Sequence, residues 1–368
     1  MSAYRSVTAR ISAACLIVCC VAATPTAKPK SSYELIDLGT LGGVASAPVD
    51  INERGDVTGI SNLAIPDPTP RAFRYRNGIL EDIGAFTSIP APQISIPYGI
   101  NRHGDVVGYS PADPAIYGGP VLHGFLYRNG EMIDVTVRDG IIPAGLALLG
   151  INDAGDMIGR LRPSVDVQEG DPRLSRGVIL IQQNGAIFDL GTMGSGSSVP
   201  TAVGLDINNN GEIVGYVRVS DDEIRGFYYH AGQYEHVTGP PICAALHDAA
   251  VGRINDVGQI IGSCSTQGGF RSFVYDTASR SYTELGLSAS GLNDFGDIVG
   301  SASVPGASHA FLYDNDERQL RDLNALIDAG SGWLYLEAAT AINNSGDITG
   351  TGRVSNGESH AFLLRKRP

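Results

Sequence analysis

The chain has 368 residues, a formal charge of −13 at pH 7 and 47 glycines. An acidic excess of this size excludes a nucleic-acid-binding role, which needs a net basic face to meet phosphates. Glycine well above its usual share, beside ordinary aromatic content, marks abundant tight turns and not disorder.

Residues 1–23 read as an export signal: Arg5 and Arg10 precede the apolar run Ile11 to Ala23, which ends in the small residues Val21-Ala22-Ala23. The run is too short to span a bilayer. A second reading is lipidation at Cys19 within Leu16-Ile17-Val18-Cys19, although Val18 stands where such sites normally carry a smaller residue. Removing the signal makes the chain two charges more negative and takes away Cys15, Cys19 and Cys20. Cys243 and Cys264 remain, and an even count in an exported chain predicts one disulfide between them, with two separately buried thiols as the alternative. The destination is the periplasm or the extracellular space.

A Pro/Lys/Ser linker, residues 24–32, leads into a single domain over residues 33–368. Its first element, Tyr33 to Gly39, has the pattern of the last strand of a repeat with nothing before it. The repeats then follow, centred on Asn52, Asn101, Asn152, Asn208, Asn255, Asn293 and Asn343. Each asparagine is preceded by Ile or Leu and followed by Gly at the third and seventh positions, and neighbours lie 38 to 56 residues apart. That period belongs to propellers and arrays. Within a repeat, an apolar strand A runs into the Asn-x-x-Gly turn, where asparagine bonds the backbone ahead of it and glycine takes a positive φ. Strand B returns, and strands C and D form a second hairpin, signalled by Asn77-Gly78, Asn129-Gly130 and Asn184-Gly185.

Strand C carries Phe73, Phe125, Val178, Phe227, Phe273, Phe311 and Phe362, with Tyr or Leu two residues later, which puts both positions on one sheet face. Two residues earlier stands a base. Hairpin register predicts Arg71 beside Asp82, His123 beside Asp134, Arg176 beside Asp189, Arg271 beside Glu284, His309 beside Asp322 and His360 beside Asp37, with Arg225 facing His236 instead of an acid. The last repeat ends on strand C, and the orphan at Tyr33 supplies its fourth strand. The expected fold is all-β: a seven-bladed β-propeller of four-stranded antiparallel blades, the N-terminal strand closing the C-terminal blade. An open β-solenoid is the alternative.

The tripeptides His309-Ala310-Phe311 and His360-Ala361-Phe362, the stretch Asp37-Leu38-Gly39-Thr40-Leu41-Gly42-Gly43, the seven turn cores, and the terminal Asp322 to Ile327 with Ser331-Gly332-Trp333 carry a resemblance. Over about residues 33–368 the chain resembles the bacterial HAF-repeat family of extracellular, propeller-like repeat proteins. The resemblance implies export and a repeat fold, and it assigns no activity.

Site chemistry is sparse. Loops such as Asn152 to Asp156 and Asn293 to Asp297 gather oxygen ligands that calcium would accept, but equivalent loops hold Arg54, Arg102 and Gln259, so a turn-forming role is the expectation and calcium the alternative. No nucleophile motif is present, so no catalytic residue is assigned and no cofactor is expected. The short A–B and C–D turns define one face, read as inert. The longer B–C and D–A connections define the other, where binding belongs. Weak ligand candidates there are Tyr98, Tyr117, Trp333, Tyr335, Asp113 and Asp166, with core packing favoured for Trp333. The expected function is an exported, monomeric, non-enzymatic binding protein for a protein or glycan partner. The alternatives are a lyase or hydrolase acting on an extracellular polymer, with carboxylates gathered at the central opening of the long-loop face, and a structural envelope or matrix component.

Overall fold

The computed structural model describes residues 32–64, 69–86, 93–112, 121–136, 145–162, 178–191, 202–220, 223–243, 249–266, 269–328 and 330–367; the expected signal segment and most of the linker lie outside them. The described residues form an all-β structure of 28 strands, grouped by their antiparallel pairings in fours. No described helix is long and apolar enough to cross a membrane.

The Asn208 repeat shows how sequence becomes structure. Its strands are Ala202–Ile207, Ile213–Ser220, Glu223–His230 and Gln233–Val237. At the first turn Asn208 Oδ1 accepts the backbone N–H groups of Asn210 and Glu212, both at 3.0 Å, so one side chain satisfies two donors that the bend removes from the ladder. Gly211 follows at φ +76°, a conformation in which a side chain would be strained. The second constant glycine has a different reason. A Cβ on Gly215 would overlap the carbonyl oxygen of Val203, and in the Asn52 repeat a Cβ on Gly59 would sit 2.7 Å from Cζ of Phe73. This glycine lets strands A and B close up under the aromatic ring of strand C.

Every first strand is also bulged. In the Asn208 repeat the register slips between Gly204 and Asp206, and in the Asn52 repeat between Pro48 and Asp50. The bulge lets the residue two before each turn asparagine face inward while the rest of the strand keeps its pleat. Phe73, Phe125, Phe227, Phe273 and Phe362 are fully buried, each a packing contribution of about 1.5 to 3 kcal/mol. Tyr75, Tyr127 and Tyr275, two residues on, are buried as well, as period-two spacing requires.

Tyr33–Gly39 pairs antiparallel with Ser359–Lys366, Leu35 lying opposite Leu364, so the orphan strand completes the sheet of the last repeat. Single parallel bridges join that sheet to the first repeat's at Ala45 and Ser359, and the fourth to the fifth at Arg225 and Ala249. Cys243 and Cys264 are disulfide-bonded, which removes the separately buried thiols. The base–acid ladder forms in four of its predicted places: Arg71–Asp82 at 4.0 Å, His123–Asp134 at 2.6 Å, His309–Asp322 at 2.8 Å and His360–Asp37 at 3.0 Å. Two places differ. Arg225 bonds Glu223 on its own strand at 2.5 Å, and Arg271 makes no ion pair with Glu284. Arg176 lies outside the described residues.

Candidate functional site

The turn asparagines do more than cap their own turns. Asn52 Nδ2 donates to the carbonyl of Asn101, Asn101 to that of Asn152, Asn152 to Asn208, Asn208 to Asn255, Asn255 to Asn293 and Asn293 to Asn343, at 2.9 to 3.3 Å. Asn343 then donates to the carbonyl of Asn52 at 3.0 Å, and the series returns to its start. All seven asparagines are buried. A buried amide that satisfies both its oxygen and its nitrogen stabilises the fold and fixes the spacing between neighbours.

A second series runs through the residues that follow. Backbone N–H groups of Arg102, Asp153, Asn209, Asp256 and Asp294 each donate to a side-chain oxygen of the corresponding residue in the next repeat at 2.8 Å. The N–H of Asn344 reaches both carboxylate oxygens of Glu53, at 3.2 and 3.1 Å. No such bond joins Glu53 to Arg102, because arginine has no acceptor.

Residues of all seven repeats line a pocket of about 410 Å³ at the centre of these two circles. Its rim holds four carboxylates, Glu53, Asp153, Asp256 and Asp294, against one guanidinium, Arg102. Burial pushes the Glu53 carboxyl above its ordinary range; the Asn344 N–H opposes this, and the charges of Asp294, Asp153 and Asp256 add to it. These acids therefore feel one another across the rim.

Deeper in the pocket lie the inward residues of the bulges. Three repeats place charges there, Asp50, Asp206 and Arg253, and two place Gly291 and Ala341; the equivalent residues of the second and third repeats are Gly99 and Gly150. Asp50 accepts the N–H groups of Ile51 and Ile100, at 2.9 and 3.1 Å, and Asp206 those of Ile207 and Ile254, both at 3.0 Å. Arg253 Nη2 reaches the carbonyl of Val49, in the first repeat, at 3.4 Å. Burial pushes both carboxyls up, Asp206 to about 6, and the charge of Arg253 is the chief opposing influence on each. Burial would lower the Arg253 pKa, but the two aspartates outweigh it and hold the guanidinium firmly protonated. All three groups line the pocket and are partly exposed to it, while the surrounding protein still desolvates their charged forms. No N–O contact of 4.0 Å or less joins Arg253 to either aspartate among the described residues, so the charges flank the space without neutralising each other in contact.

The pocket opens on the Asn-x-x-Gly side, the face that sequence reasoning treats as inert. Its carboxylates gather there, while the long-connection acids Asp113 and Asp166 lie outside the described residues. A sequence signal exists: aligning the repeats on asparagine shows a position that is Gly or Ala four times and charged three times. Seeing that these residues converge requires the bulge and the closed asparagine circle.

The sequence candidates are not brought together. Tyr98 lies on the strand Ile96–Ile100, at its bulge, with its ring 6.0 Å from that of Tyr109. Trp333 and Tyr335 begin the strand Trp333–Ile342, so these three belong to first strands and not to loops. Trp333 packs edge-on to Phe362 and borders a core cluster, the packing role expected for it, while Tyr335 stacks with His309. Tyr117, Asp113 and Asp166 lie outside the described residues. In the loops considered for calcium, Asn152 Oδ1 accepts the N–H of Asp156, and Asn293 Oδ1 those of Phe295 and Asp297, so these oxygens are engaged in holding the turn. Among the described residues no group of three or more His, Cys, Asp or Glu is arranged to hold a metal ion.

No protein-family model matches the sequence, and no curated protein matches it. Solved structures do. A prolyl endopeptidase is similar with a TM-score of 0.56 and 11% identity over 87% of this chain, which spans 50% of that enzyme's length. The β-propeller domain of the Trilobed protease from Pyrococcus furiosus is similar at 0.45 and 8% identity, over 88% of this chain and 96% of the other. The Aleuria aurantia lectin is similar at 0.42 and 12% identity, over 79% of this chain and all of the lectin. At these identities the likeness concerns the fold alone.

Proposed function

We propose that this chain is an exported binding protein built as a closed, seven-bladed β-propeller, and that its axial pocket receives a cationic group of a protein or glycan partner. The observation that carries the reading is the pocket itself, lined by all seven repeats and bearing six carboxylates against two guanidiniums. The asparagine circle and the pairing of Tyr33–Gly39 with the last sheet support closure, since a circle of bonds with one step per repeat leaves no open end. The disulfide supports export, because such bonds persist in oxidising compartments. Membership in the HAF-repeat family rests on the sequence motifs and accords with this reading.

A lysine or arginine side chain, or an amino sugar, fits the pocket by charge. Rim carboxylates attract it over a distance set by ionic strength and accept its N–H groups. The test is the melting temperature against a lysine oligomer, a glucosamine oligomer and neutral counterparts of equal length. Binding only to the folded state raises stability by about 2.7 kcal/mol at a hundredfold excess over Kd. The cationic ligands are expected to raise the melting temperature at low salt, and the Asp153→Asn, Asp256→Asn double variant, which keeps its acceptor oxygens, is expected to lose the shift. An equal shift with neutral ligands, or a shift untouched by the double variant, rejects the axial site.

A second reading, a polymer-acting lyase or hydrolase, is favoured by one observation: two aspartates, Asp50 and Asp206, line the same pocket, and burial pushes both carboxyls up. Turnover of an extracellular polymer that Asp206→Asn abolishes while ligand binding survives would select it.

A further inference from the structure

A second opening lies on the same face as the axial pocket. Between the fifth and sixth sheets, at their turn ends, is a cavity of about 320 Å³ lined by Val274, Leu285, Leu292, Ile298 and Tyr313. These five side chains belong to one hydrophobic cluster, and the strand pairings agree. Val274 pairs with Ile261 and shares its side of the fifth sheet with Leu285, while Leu292 and Tyr313 both pair with Ile298 across the sixth. Thr283, Asn315 and Arg318, all exposed, stand around the mouth.

The cavity has its origin in one side chain. In strand C the residue after the Phe or Val position is Arg74, Leu126, Ile179, Tyr228, Val274, Leu312 or Leu363, and Val274 is the smallest of them. In the first repeat Arg74 extends to the second sheet, 5.0 Å over the ring of Tyr127. In the fourth, Tyr228 and Tyr275 of the next sheet are both buried in one cluster. Val274 is too short to cover Tyr313 in this way, and Tyr313 is left half-buried where Tyr127 and Tyr275 are buried.

Cavity and axial pocket are neighbours. Leu292 borders both, and the turn that follows it separates them: Asp294 lines the pocket and Gly296 the cavity. Two Cα–Cα steps put these borders no more than about 7.6 Å apart. On the same turn Phe295 is 62% exposed, and Val257 holds the equivalent place in the preceding turn at 57%. The other five repeats carry Arg54, His103, Ala154, Asn210 and Ser345 there, so at this position large apolar groups occur only in the two repeats that form the cavity. Asn315 Nδ2 donates to the carbonyl of Phe295 at 2.9 Å, which holds the turn in place.

We propose that pocket and cavity together bind an extended peptide segment, a lysine or arginine entering the pocket and a leucine or phenylalanine two residues away entering the cavity. The assignment rests on the cation-binding reading of the axial pocket and names its partner as a protein. On an extended chain, side chains two apart project to the same side about 6.4 to 6.8 Å from one another, which matches the width of the turn. The residue between them passes over Phe295. The pocket's carboxylates select the base, and Arg318 at the cavity mouth repels a second one, so the apolar side chain goes to the cavity. An amino sugar supplies the cation but no apolar side chain to fill the second opening.

The experiment is calorimetric titration of the full chain at low salt with three blocked nine-residue peptides of glycine and serine that carry Lys-Gly-Phe, Lys-Gly-Ser or Gln-Gly-Phe at the centre. A lysine oligomer and a glucosamine oligomer are titrated beside them. The Lys-Gly-Phe peptide is expected to bind about tenfold tighter than either of the other two. In Val274→Phe, which fills the cavity, its advantage over Lys-Gly-Ser should vanish while binding of the lysine oligomer is unchanged. Phe295→Ser, which places at an exposed position the residue found at Ser345, should weaken the Lys-Gly-Phe peptide with no change in melting temperature. The Asp153→Asn, Asp256→Asn variant should lose both lysine peptides. If the lysine oligomer also fails to bind the parent, the axial reading itself falls. If the oligomer binds but the two lysine peptides bind alike, if neither Val274→Phe nor Phe295→Ser reduces the difference between them, or if the glucosamine oligomer binds more tightly than Lys-Gly-Phe, this proposal alone is overturned.

Discussion

At the scale of the residue, the turn asparagine is the most heavily used group in the molecule. Asn208 accepts from Asn210 and Glu212 and donates to Glu212 and to the carbonyl of Asn255, so alanine would leave several buried partners unsatisfied at once. Asn208→Ala is expected to lower stability by about 2 to 4 kcal/mol in chemical denaturation, beyond the loss of an ordinary surface turn. Asp206 gives the opposite kind of prediction. Its folded pKa near 6 exceeds the ordinary 3.8, so the native state holds a proton that the unfolded chain has released. The stability this contributes is fully present below about 4 and is lost as pH rises through 6, with Asp50 shifted in the same direction. Asp206→Asn keeps an acceptor for both N–H groups, so the melting temperature of the parent relative to this variant should rise as pH falls from 7 to 4. A difference independent of pH would show that Asp206 is not buried as a charge. The asparagine's role in its own turn was legible from spacing alone, because the bonds involved span two to four residues. Its bond to the next repeat, 38 to 56 residues away, was not.

At the scale of the element, each repeat is two hairpins whose constant positions answer separate demands. The Asn-Gly pairs at 77–78 and 129–130 both take positive φ, which sets the C–D hairpin twist. Period two in strand C announced the buried Phe and Tyr face, and burial agrees. The bulge in strand A had no such signature, since an extra residue leaves the composition of a strand unchanged; its result, Asp50, Asp206 and Arg253 turned toward one point, is where sequence reasoning assigned nothing. The same limit applies to Arg271, which makes no ion pair with Glu284 although the hairpin register predicts one. The disulfide closes a separation of 21 residues between the turn Pro241–Cys243 and the strand Gln259–Thr266. Replacing both cysteines with alanine should cost about 3 kcal/mol on the chain-entropy model, seen as a lower denaturation midpoint with an altered slope. No change in midpoint would mean that the unfolded chain is already restricted there.

At the scale of the whole molecule, stability depends on neighbours meeting. Among the described residues seven hydrophobic clusters alternate with the sheets, so each sheet buries its faces against its neighbours. The strand Tyr33–Gly39 contributes Tyr33 to one cluster and Leu38 to another. Removing residues 33–39 should therefore expose the edge of Ser359–Lys366, lower the melting temperature and promote self-association through the open edge. A shortened chain that melts with the parent and stays monodisperse would show that this strand is dispensable.

The sequence by itself determined the number and type of elements, their hairpin order, the aromatic faces, the cysteine pair and the place of the orphan strand. Each of these follows from local bond geometry or from alternation over a few residues. The tertiary structure decided which inward residues share the axis, which carboxylates feel one another, and which base in a repeated series lacks its acid. Those outcomes depend on distances between repeats, and such distances are set only when bulges, turns and packing act together.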